Sequence, residues 1–355
     1  MKVTFATTWD SKCGIAVYSR SLTSELKKNA DLEIVSLDSP ISPAKLAARL
    51  NRGEIAHVQH QYPFFGGMAF HKNTFRRMTS RVKAPLVVTI HELDLGDSDS
   101  RLSRTYKWWF NQYLFDNVEI DRIIVHSTEY RELLEDLGVE PDEIRVIPDG
   151  VPSVTWPSIS SEEAKSKFGL DGCRVISIFG FTVRRKGYEI ALDALRHLPE
   201  DVVLVIAGGQ HSDDNTSYLS DLKERINASG LSKRVMITGY LSDSDVSTVM
   251  AATDIIVAPF TSVSNSASIL RSMAYGKPVV ASDLPFMREI NDRQPCLSLF
   301  KPSDPVDMAE KVVELLSKES WLQAASDAVK SYAEVWSVER AAEETLNVYR
   351  ELCER

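Results

Sequence analysis

Cysteine is scarce in this chain, and long apolar runs are missing. The four cysteines, Cys13, Cys173, Cys296 and Cys353, stand alone without CxxC spacing, so the sequence suggests neither a zinc site nor a disulfide framework. No apolar run approaches the roughly 20 residues that a membrane-spanning helix needs. A basic surplus is also absent, because 41 Lys and Arg stand against 50 Asp and Glu, for a net charge of −9. This balance argues against broad nucleic-acid binding.

Length and composition are those of an ordinary globular protein. The 355 residues are 43% hydrophobic and 26% charged, which is typical of folded domains and predicts about two of them. The first ten residues, MKVTFATTWD, lack the apolar core and the small-residue cleavage site of a signal peptide. We therefore expect a cytoplasmic protein that is at most peripheral to the inner face of the membrane.

The stretch from Thr253 to Asp283 predicts a strand, a small-residue loop, a helix and a second strand. In a parallel sheet, ligands bind beyond the carboxyl ends of the strands, where this loop would lie. Small side chains admit an anion to backbone N–H groups, and a helix start adds partial positive charge. Helix capping and turn formation explain the same residues equally well. The candidate residues of this loop are Ser264, Asn265, Ser266, Ala267 and Ser268.

A second candidate loop is GFTVRRKG, which follows the predicted strand Arg174 to Phe179. It places Arg184, Arg185 and Lys186 between Gly180 and Gly187. Cations beside a helix start suit a diphosphate. A solvated basic loop is the alternative, and the cluster of three cations between glycines favours the anion site.

Polar groups also follow strands in the first half of the chain. Gly14 lies at a predicted strand-to-helix turn, where a glycine admits a ligand or merely meets a conformational need. His91 ends the run PLVVTI and is followed by polar residues, which marks it as a candidate site residue. His60, Gln61 and Tyr62 end another strand and are candidates for binding a sugar acceptor, although isolated histidines more often only pack or hydrogen-bond at a strand edge.

Two segments between these strands carry unusual composition. From Lys72 to Lys83 the chain holds five cations and no acid, which is typical of a helix that contacts anionic lipid or an anionic acceptor, and also of a solvated helix face. The aromatic segment TYKWWFNQYLFDNV predicts a helix used for core and interdomain packing.

Alternation of strands and helices continues through both halves and predicts an α/β fold. A Pro- and Ser-rich stretch near residues 151 to 160 reads as the linker. We expect two Rossmann-like domains facing each other across a cleft, the first over 1–155 and the second over 156–335. The C-terminal helix, about 336–355, is expected to pack back on the first domain.

Taken in order, these motifs resemble the family-4 retaining glycosyltransferases, enzymes of the GT-B architecture that move a sugar from a nucleotide donor. The resemblance covers nearly the whole length. It is carried by CGIAVYSRSL, VQHQYPFFGG, VTIHELD, IIVHS, IRVIPDGV, GFTVRRKG, VIAGG, ITGYLSDSDVSTVMAATDIIVAP, SMAYGKPVVASD and WSVERAAEETLNVY.

The resemblance implies roles for individual residues. Gly14 would lie near the donor phosphates and His91 would meet the transferred sugar. Lys186 matches the family's phosphate-binding lysine, and Arg184 or Arg185 would replace an arginine that is Phe181 here. Gly208, in VIAGG, falls among the donor-binding positions. No metal or other cofactor is implied, because cations and helix amides neutralise the leaving diphosphate.

Two positions depart from the family pattern. Where the family carries two glutamates eight positions apart, this chain has Val263 and Arg271. Either the donor is read differently here or catalysis has been lost. The expected activity is therefore sugar transfer from a nucleoside-diphosphate sugar to a polysaccharide, lipid-linked or small-molecule acceptor. An inactive binding or partner protein and a nucleotide-sugar epimerase are the alternatives.

Overall fold

The computed structural model describes residues 1–11, 13–95, 100–116, 118–156, 158–210, 217–263 and 265–354. The chain divides into two compact units. One contains Met1–Gly150 together with Trp336–Arg355, and the other contains Val151–Val335. The boundary falls five residues before the one expected from the sequence.

The first unit is built on a parallel sheet. Its strands among the described residues are β1 (Lys2–Thr7), β2 (Asp31–Ser36), β3 (Ile55–His60), β4 (Leu86–Ile90), β5 (Arg122–Val125) and β6 (Ile144–Val146). They pair in the order β2-β1-β3-β4-β5-β6. Every residue of β3, β4 and β5 is buried, as expected for a parallel sheet that is covered on both faces.

Helices connect these strands. They are α1 (Gly14–Leu26), α2 (Pro43–Leu50), α3 (Phe75–Thr79), α4 (Arg101–Phe115) and α5 (Thr128–Asp136), with 3₁₀ turns at Tyr62–Phe65 and Pro141–Glu143. Serine side chains cap α2, α4 and α5 by accepting from backbone N–H groups of the first turn, which satisfies donors that the helix itself cannot. The basic segment does not form one long helix as the sequence suggested, since only the five residues of α3 are helical there.

The second unit repeats the architecture with a second parallel sheet. Its strands in the described part of the chain are β7 (Arg174–Phe179), β8 (Val202–Ala207), β9 (Val235–Ile237), β10 (Ile255–Ala258), β11 (Val279–Ser282) and β12 (Leu297–Phe300). Their order is β12-β11-β10-β7-β8-β9. The expected α/β fold with two Rossmann-like domains is confirmed.

Eight helices and a 3₁₀ turn at Arg184–Lys186 accompany this sheet among the described residues. The helices are α6 (Ser161–Lys167), α7 (Tyr188–Leu195), α8 (Tyr218–Ala228), α9 (Asp243–Ala252), α10 (Ala267–Met273), α11 (Pro285–Arg293), α12 (Pro305–Leu316) and α13 (Glu319–Val335). Helices α6 and α9 begin with full capping boxes, in which a serine and an acidic side chain exchange hydrogen bonds with the backbone.

The last helix, α14 (Val338–Cys353), returns to the first unit and packs against α1. Its buried residues include Leu346 and Tyr349, which share a core cluster with Val3, Phe5 and Leu22. The expected return of the C-terminal helix is confirmed. Among the helices of the described residues, none combines the length and apolarity that crossing a bilayer requires.

Candidate functional site

The two anion-binding loops predicted from the sequence meet at one point of the second sheet. Chain progression runs from β7 through β8 to β9 on one side, and then restarts at β10 on the other side of β7. The loops after β7 and β10 therefore flank the point where strand order reverses, which is where open α/β sheets bind ligands. The first loop carries Lys186 and the second carries Ser266 and Ser268.

Lys186 is the centre of this site. Its side chain is only 4% exposed, and its ammonium donates to the carbonyl oxygen of Phe179 and, at 3.2 Å, to Ser268 Oγ. The ammonium also lies 5.7 Å from the centroid of the Phe260 ring. The two predicted loops are therefore in direct contact.

Burial, together with the nearby positive charge of Arg185, lowers the pKa of Lys186 to about 7. Free of ligand, this lysine thus titrates close to neutral pH. A phosphate that entered the site would favour the charged form, because an opposite charge nearby stabilises an ammonium. The site is consequently prepared to become more positive when an anion binds.

Two glycines make room for this arrangement. Gly180 has φ +106°, and a Cβ built there would collide with Lys186 Nζ and lie 3.0 Å from Ser268 Cβ. A Cβ at Gly208 would collide with the carbonyl oxygen of Gly180. Only glycine allows the ends of β7 and β8 to approach this closely.

The serine-bearing loop is fixed at the start of α10. Ser266 caps the helix by accepting from the N–H of Ile269, and its hydroxyl lies 3.1 Å from Ser268 Oγ. Asn265 and Ala267 beside them are partly exposed. Ser264 lies outside the described residues. Capping and ligand contact, the two alternatives from the sequence, are therefore compatible here, since Ser266 caps while Ser268 contacts the lysine.

The two arginines of the cation loop differ from Lys186 in placement. The Arg184 guanidinium lies 4.6 Å from the Tyr218 ring and 3.5 Å from Asp221, so the structure directs it toward α8 and not to the serine loop. Arg185 is exposed, and its carbonyl accepts from Thr261 N–H at 2.9 Å. Of the three predicted cations, the structure joins the side chain of Lys186 to the serines.

The departures from the family pattern are visible at Arg271 and Phe181. Arg271 donates to Asp243 at 2.7 Å and lies 5.6 Å from the Phe179 ring. Phe181 stacks against Tyr240 with ring centroids 6.5 Å apart. A cation stands where the resemblance expects a carboxylate, and an aromatic ring stands where it expects a cation.

In the first unit the same topological rule selects the loops after β1 and β3, because strand order reverses between them. Gly14, exposed at the first turn of α1, follows β1. The loop that leads to it is held by Asp38, whose carboxylate accepts from the backbone of Trp9 and Asp10 at 2.9 and 2.8 Å and from the Ser11 hydroxyl. These donors and the Thr8 and Ser36 hydroxyls hold the pKa of Asp38 well below its usual range.

Asp38 was missed by sequence reasoning. It follows β2, the strand beside β1, so its position just after a strand could have indicated it. The structure gives it a positioning role, because its bonds fix the loop before Gly14.

His91 lies at the end of β4 in a chain of buried hydrogen bonds. Its Nε2 is 2.7 Å from Gln59 Oε1, and Gln59 Nε2 is 3.0 Å from His57 Nε2. His57 in turn bonds to Thr89 Oγ1 at 2.7 Å and, through Nδ1, to the hydroxyl of Tyr349 on α14. Gln59 therefore fixes the orientation of the imidazole that the resemblance places near the sugar.

Burial and the neighbouring imidazole of His126, whose ring centroid is 5.0 Å away, lower the pKa of His91 to about 3. His91 is neutral at physiological pH. Its neutral ring can form a hydrogen bond to a ligand but does not supply a positive charge.

The predicted acceptor residues are not grouped at a surface. His60 is fully buried among the rings of Phe65, Phe75 and Phe115, at centroid distances of 5.5, 4.7 and 5.3 Å. This placement corrects the expectation that its side chain meets an acceptor, because the aromatic cluster leaves it no exposed surface. Of the three candidates, Gln61 alone is partly exposed, and it donates to Glu92 at 3.2 Å.

Tyr62 needs the same correction as His60. It is 4% exposed, its hydroxyl donates to Asn111 Oδ1 at 2.6 Å, and it accepts from the N–H of Asp94 at 3.0 Å. The phenol thus ties the end of β3 to α4. Its role in the described structure is internal.

No cluster of His, Cys, Asp or Glu that would suit a metal ion occurs among the residues that the structure describes. The Asp-Ser-Asp triplet at 243–245 has structural partners: Asp243 pairs with Arg271, and Asp245 closes the capping box of α9. A second such triplet, at 97–99, lies outside the described residues.

Comparison with known families gives the class to which this site belongs. Residues 14–153 match the model described as Glycosyltransferase Family 4, and residues 173–318 match the model described as Glycosyl transferases group 1. The two matches fall on the two units in turn and together cover most of the chain. The chain therefore belongs to the family-4, group 1 glycosyltransferases.

Individual relatives have low sequence identity to this chain. The mannosylfructose-phosphate synthase of Agrobacterium fabrum is 28% identical over 42% of this chain and 35% of its own length. The phosphatidyl-myo-inositol mannosyltransferase of Mycobacterium leprae is 30% identical over 65% of this chain and 59% of its own length. The matched part is thus less than two thirds of either relative.

Among solved structures, the Anabaena protein HepE in complex with UDP and glucose superposes with a TM-score of 0.81 at 17% identity, covering 99% of this chain and 100% of HepE. At this identity the likeness establishes the fold, and the expected GT-B architecture is confirmed at that level.

Proposed function

We propose that this chain transfers a sugar from a nucleoside-diphosphate sugar to an acceptor hydroxyl. The observation that carries the proposal is the contact between Lys186 and Ser268, which joins two loops at the reversal point of the second sheet. A buried lysine with hydroxyl neighbours and glycine backbone beside it suits a diphosphate. The presence of UDP and glucose in the related HepE structure supports the same donor class.

In this proposal the bond between the anomeric carbon and the diphosphate oxygen breaks while the acceptor oxygen bonds to that carbon. Negative charge grows on the departing diphosphate, and the acceptor hydroxyl gives its proton to that diphosphate. Lys186 in its charged form, with the Ser266 and Ser268 hydroxyls, stabilises the leaving group in a site that largely excludes water. The positive charge of Arg185 acts on the pKa of Lys186, and we assign Arg185 a secondary role in stabilising the leaving diphosphate.

We further propose that the anomeric configuration is retained, as family membership favours, and that neither a metal nor another cofactor takes part. Lys186 supplies the positive charge that a divalent ion supplies in other transferases. The contributions of Gly14 and His91 to donor binding remain part of this proposal, with His91 acting as a neutral, oriented imidazole. Gly180, Gly208 and the serine loop supply the remaining donor contacts.

A glycan or lipid-linked acceptor is the class we propose. Two relatives are named for lipid products or substrates, the alpha-monoglucosyldiacylglycerol synthase of Streptococcus pneumoniae and the Mycobacterium leprae enzyme. The cationic segment from Lys72 to Lys83 is consistent with an anionic acceptor or with peripheral contact with a membrane.

A ligand-binding experiment tests the donor assignment directly. The free energy of unfolding is measured with UDP, GDP, ADP and their sugars, and one nucleotide series is expected to stabilise the protein by about 2.7 kcal/mol at 100 times its dissociation constant. Absence of stabilisation by every nucleotide would remove the proposal. Incubation with the stabilising sugar nucleotide and candidate acceptors then measures transfer.

Arg271 supports one rival, a nucleotide-binding protein without transferase activity. This side chain and Val263 occupy the positions where the family resemblance places two carboxylates, and a cation cannot accept from sugar or ribose hydroxyls. Nucleotide binding without transfer in any donor and acceptor combination is the result that would favour this rival.

A further inference from the structure

We propose that the outward face of α4 and the neighbouring cationic segment form a surface that docks on an anionic lipid bilayer. The docking surface is defined as the exposed side chains of residues 68–83 and 101–113. The inference rests on the proposed function only in that a lipid-linked acceptor would lie in a membrane. Binding to lipid is itself measured without donor or turnover.

The helix carries large apolar residues on its exposed side. Leu102, Tyr106, Trp109 and Tyr113 follow one another at intervals of four, three and four residues, so they form one stripe along the helix. Their exposed fractions are 84%, 44%, 61% and 38%. The core side of α4 is a separate set that includes Phe110 and Leu114, both fully buried. The sequence prediction of core packing thus holds for one face only.

The preceding segment extends this stripe. Phe70 is 41% exposed, and its ring centroid lies 5.6 Å from that of Tyr106 and 5.0 Å from that of Tyr113. The Tyr106 hydroxyl donates to the carbonyl of Met68 at 2.6 Å. The two segments therefore present a continuous aromatic surface, held together by hydrogen bonding as well as by ring contacts.

Charge on this surface opposes that of the whole chain. Residues 68–83 and 101–113 contain eight Lys and Arg and no Asp or Glu, in a protein of net charge −9. Arg76 lies with its guanidinium 4.8 Å from the Tyr113 ring. Arg101 and Arg104 line a groove of about 420 Å³ with Leu95, Thr105 and Trp108. The eight cations are Lys72, Arg76, Arg77, Arg81, Lys83, Arg101, Arg104 and Lys107, of which Lys107 is paired with Asp94 at 2.8 Å.

These two features together favour lipid over a protein partner. Tyrosine and tryptophan prefer the headgroup level of a bilayer, where the ring meets acyl chains and the polar atom meets water. Lysine and arginine attract anionic lipid, and this attraction decays over about one Debye length from the membrane surface. The apolar residues project from the outer side of a helix, which suits a deformable surface, and the cations beside them complement headgroup phosphates.

The test is co-sedimentation of the full chain with vesicles of phosphatidylcholine alone and of phosphatidylcholine mixed with phosphatidylglycerol. Two variants alter the docking surface: Leu102→Ser with Trp109→Ser, and Arg77→Glu with Arg81→Glu. Two matched controls change exposed residues of the second unit: Trp321→Ser, and Lys223→Glu with Lys233→Glu. The charge control shifts the net charge by the same amount as the charge variant.

We expect binding to the mixed vesicles only, weakened about tenfold or more by either docking variant, unchanged by the controls and reduced by salt. Equal binding to both vesicle types, no binding to either, or equal loss in the controls would overturn the proposal. A dimer of the unmodified chain in light scattering that is absent in the Leu102→Ser and Trp109→Ser variant would also overturn the proposal. This face would then be an interface between copies of the chain.

Discussion

Lys186 and His60 are both basic side chains buried at the carboxyl end of a sheet, yet their surroundings differ. Lys186 has a carbonyl and a hydroxyl as partners and keeps a pKa of about 7. His60 lies among aromatic rings, neither of its ring nitrogens has a hydrogen-bond partner in the described part of the chain, and its pKa falls to about 3. A buried base thus indicates a binding site when polar groups surround it, and core packing when rings do.

His91 is intermediate between the two. Burial lowers its pKa to about 3, as for His60, but it is partly exposed and its Nε2 is fixed by Gln59. The three bases therefore form a series. In the proposed function, Lys186 contacts a ligand as a cation, His91 contacts one as an oriented neutral ring, and His60 only packs in the core. Substitution at each member of the series should give effects of decreasing size.

The largest effect is expected from Lys186→Met. This change removes the cation that stabilises the leaving diphosphate while keeping an unbranched side chain, and kcat should fall about 100- to 1000-fold. Steady-state kinetics with the donor found in the binding screen measure it. Lys277→Met is the matched control, because Lys277 is a partly buried lysine of the same unit whose ammonium lies 3.5 Å from a backbone carbonyl. Near-normal kcat in the Lys186 variant would remove the assigned role.

Proton uptake on nucleotide binding tests the same role of Lys186 by a second measurement. At pH 8, above its pKa of about 7, Lys186 is mostly neutral in the free protein, and a bound diphosphate should charge it. Calorimetry in buffers of different ionisation enthalpy should show up to about one proton taken up per nucleotide bound. The uptake should vanish in Lys186→Met and persist in Lys277→Met. Uptake that is equal in both variants would assign the proton to another group.

A smaller effect is expected from Gln59→Leu. The substitution removes the acceptor that orients His91, and we expect kcat, measured by steady-state kinetics, to fall about tenfold through lost positioning. Thr89→Val is the matched control, because among the described residues the Thr89 hydroxyl bonds to His57 in the same chain of hydrogen bonds and not to His91. A drop of equal size in the Thr89 variant would indicate that the network supports stability alone.

The sequence predicted the sheet order of neither unit, but it located most strand ends correctly, because buried parallel strands are continuous apolar runs. Lys186 and the serine loop were found because small residues and cations next to such runs are conspicuous. His60 was misassigned, since the last residue of a strand can point into the core or away from it and only packing decides. Asp38 was missed because its donors come from residues about 27 to 30 positions earlier in the chain.

The outward face of α4 escaped sequence reasoning for a related reason. A helix rich in aromatics has apolar residues on two faces, and composition does not reveal which face the sheet covers. Phe110 and Leu114 are buried while Trp109 and Leu102 are exposed, a distinction that depends on which side of the helix packs into the core cluster of the first unit.

The smallest effect is expected at His60, and it tests the inert end of the series. His60→Leu keeps the volume roughly constant and replaces an unpartnered imidazole, so activity should stay within about threefold and stability should rise by about 1 kcal/mol. The native pKa of about 3 lies below the ordinary value of 6.5, so the unfolded state binds the extra proton and this group destabilises the fold increasingly as pH falls from 6.5 toward 3. The variant should therefore unfold at lower pH in an acid titration followed by circular dichroism. A tenfold loss of activity with an unchanged fold would return His60 to the acceptor site, since packing alone does not couple a core residue to turnover in that way.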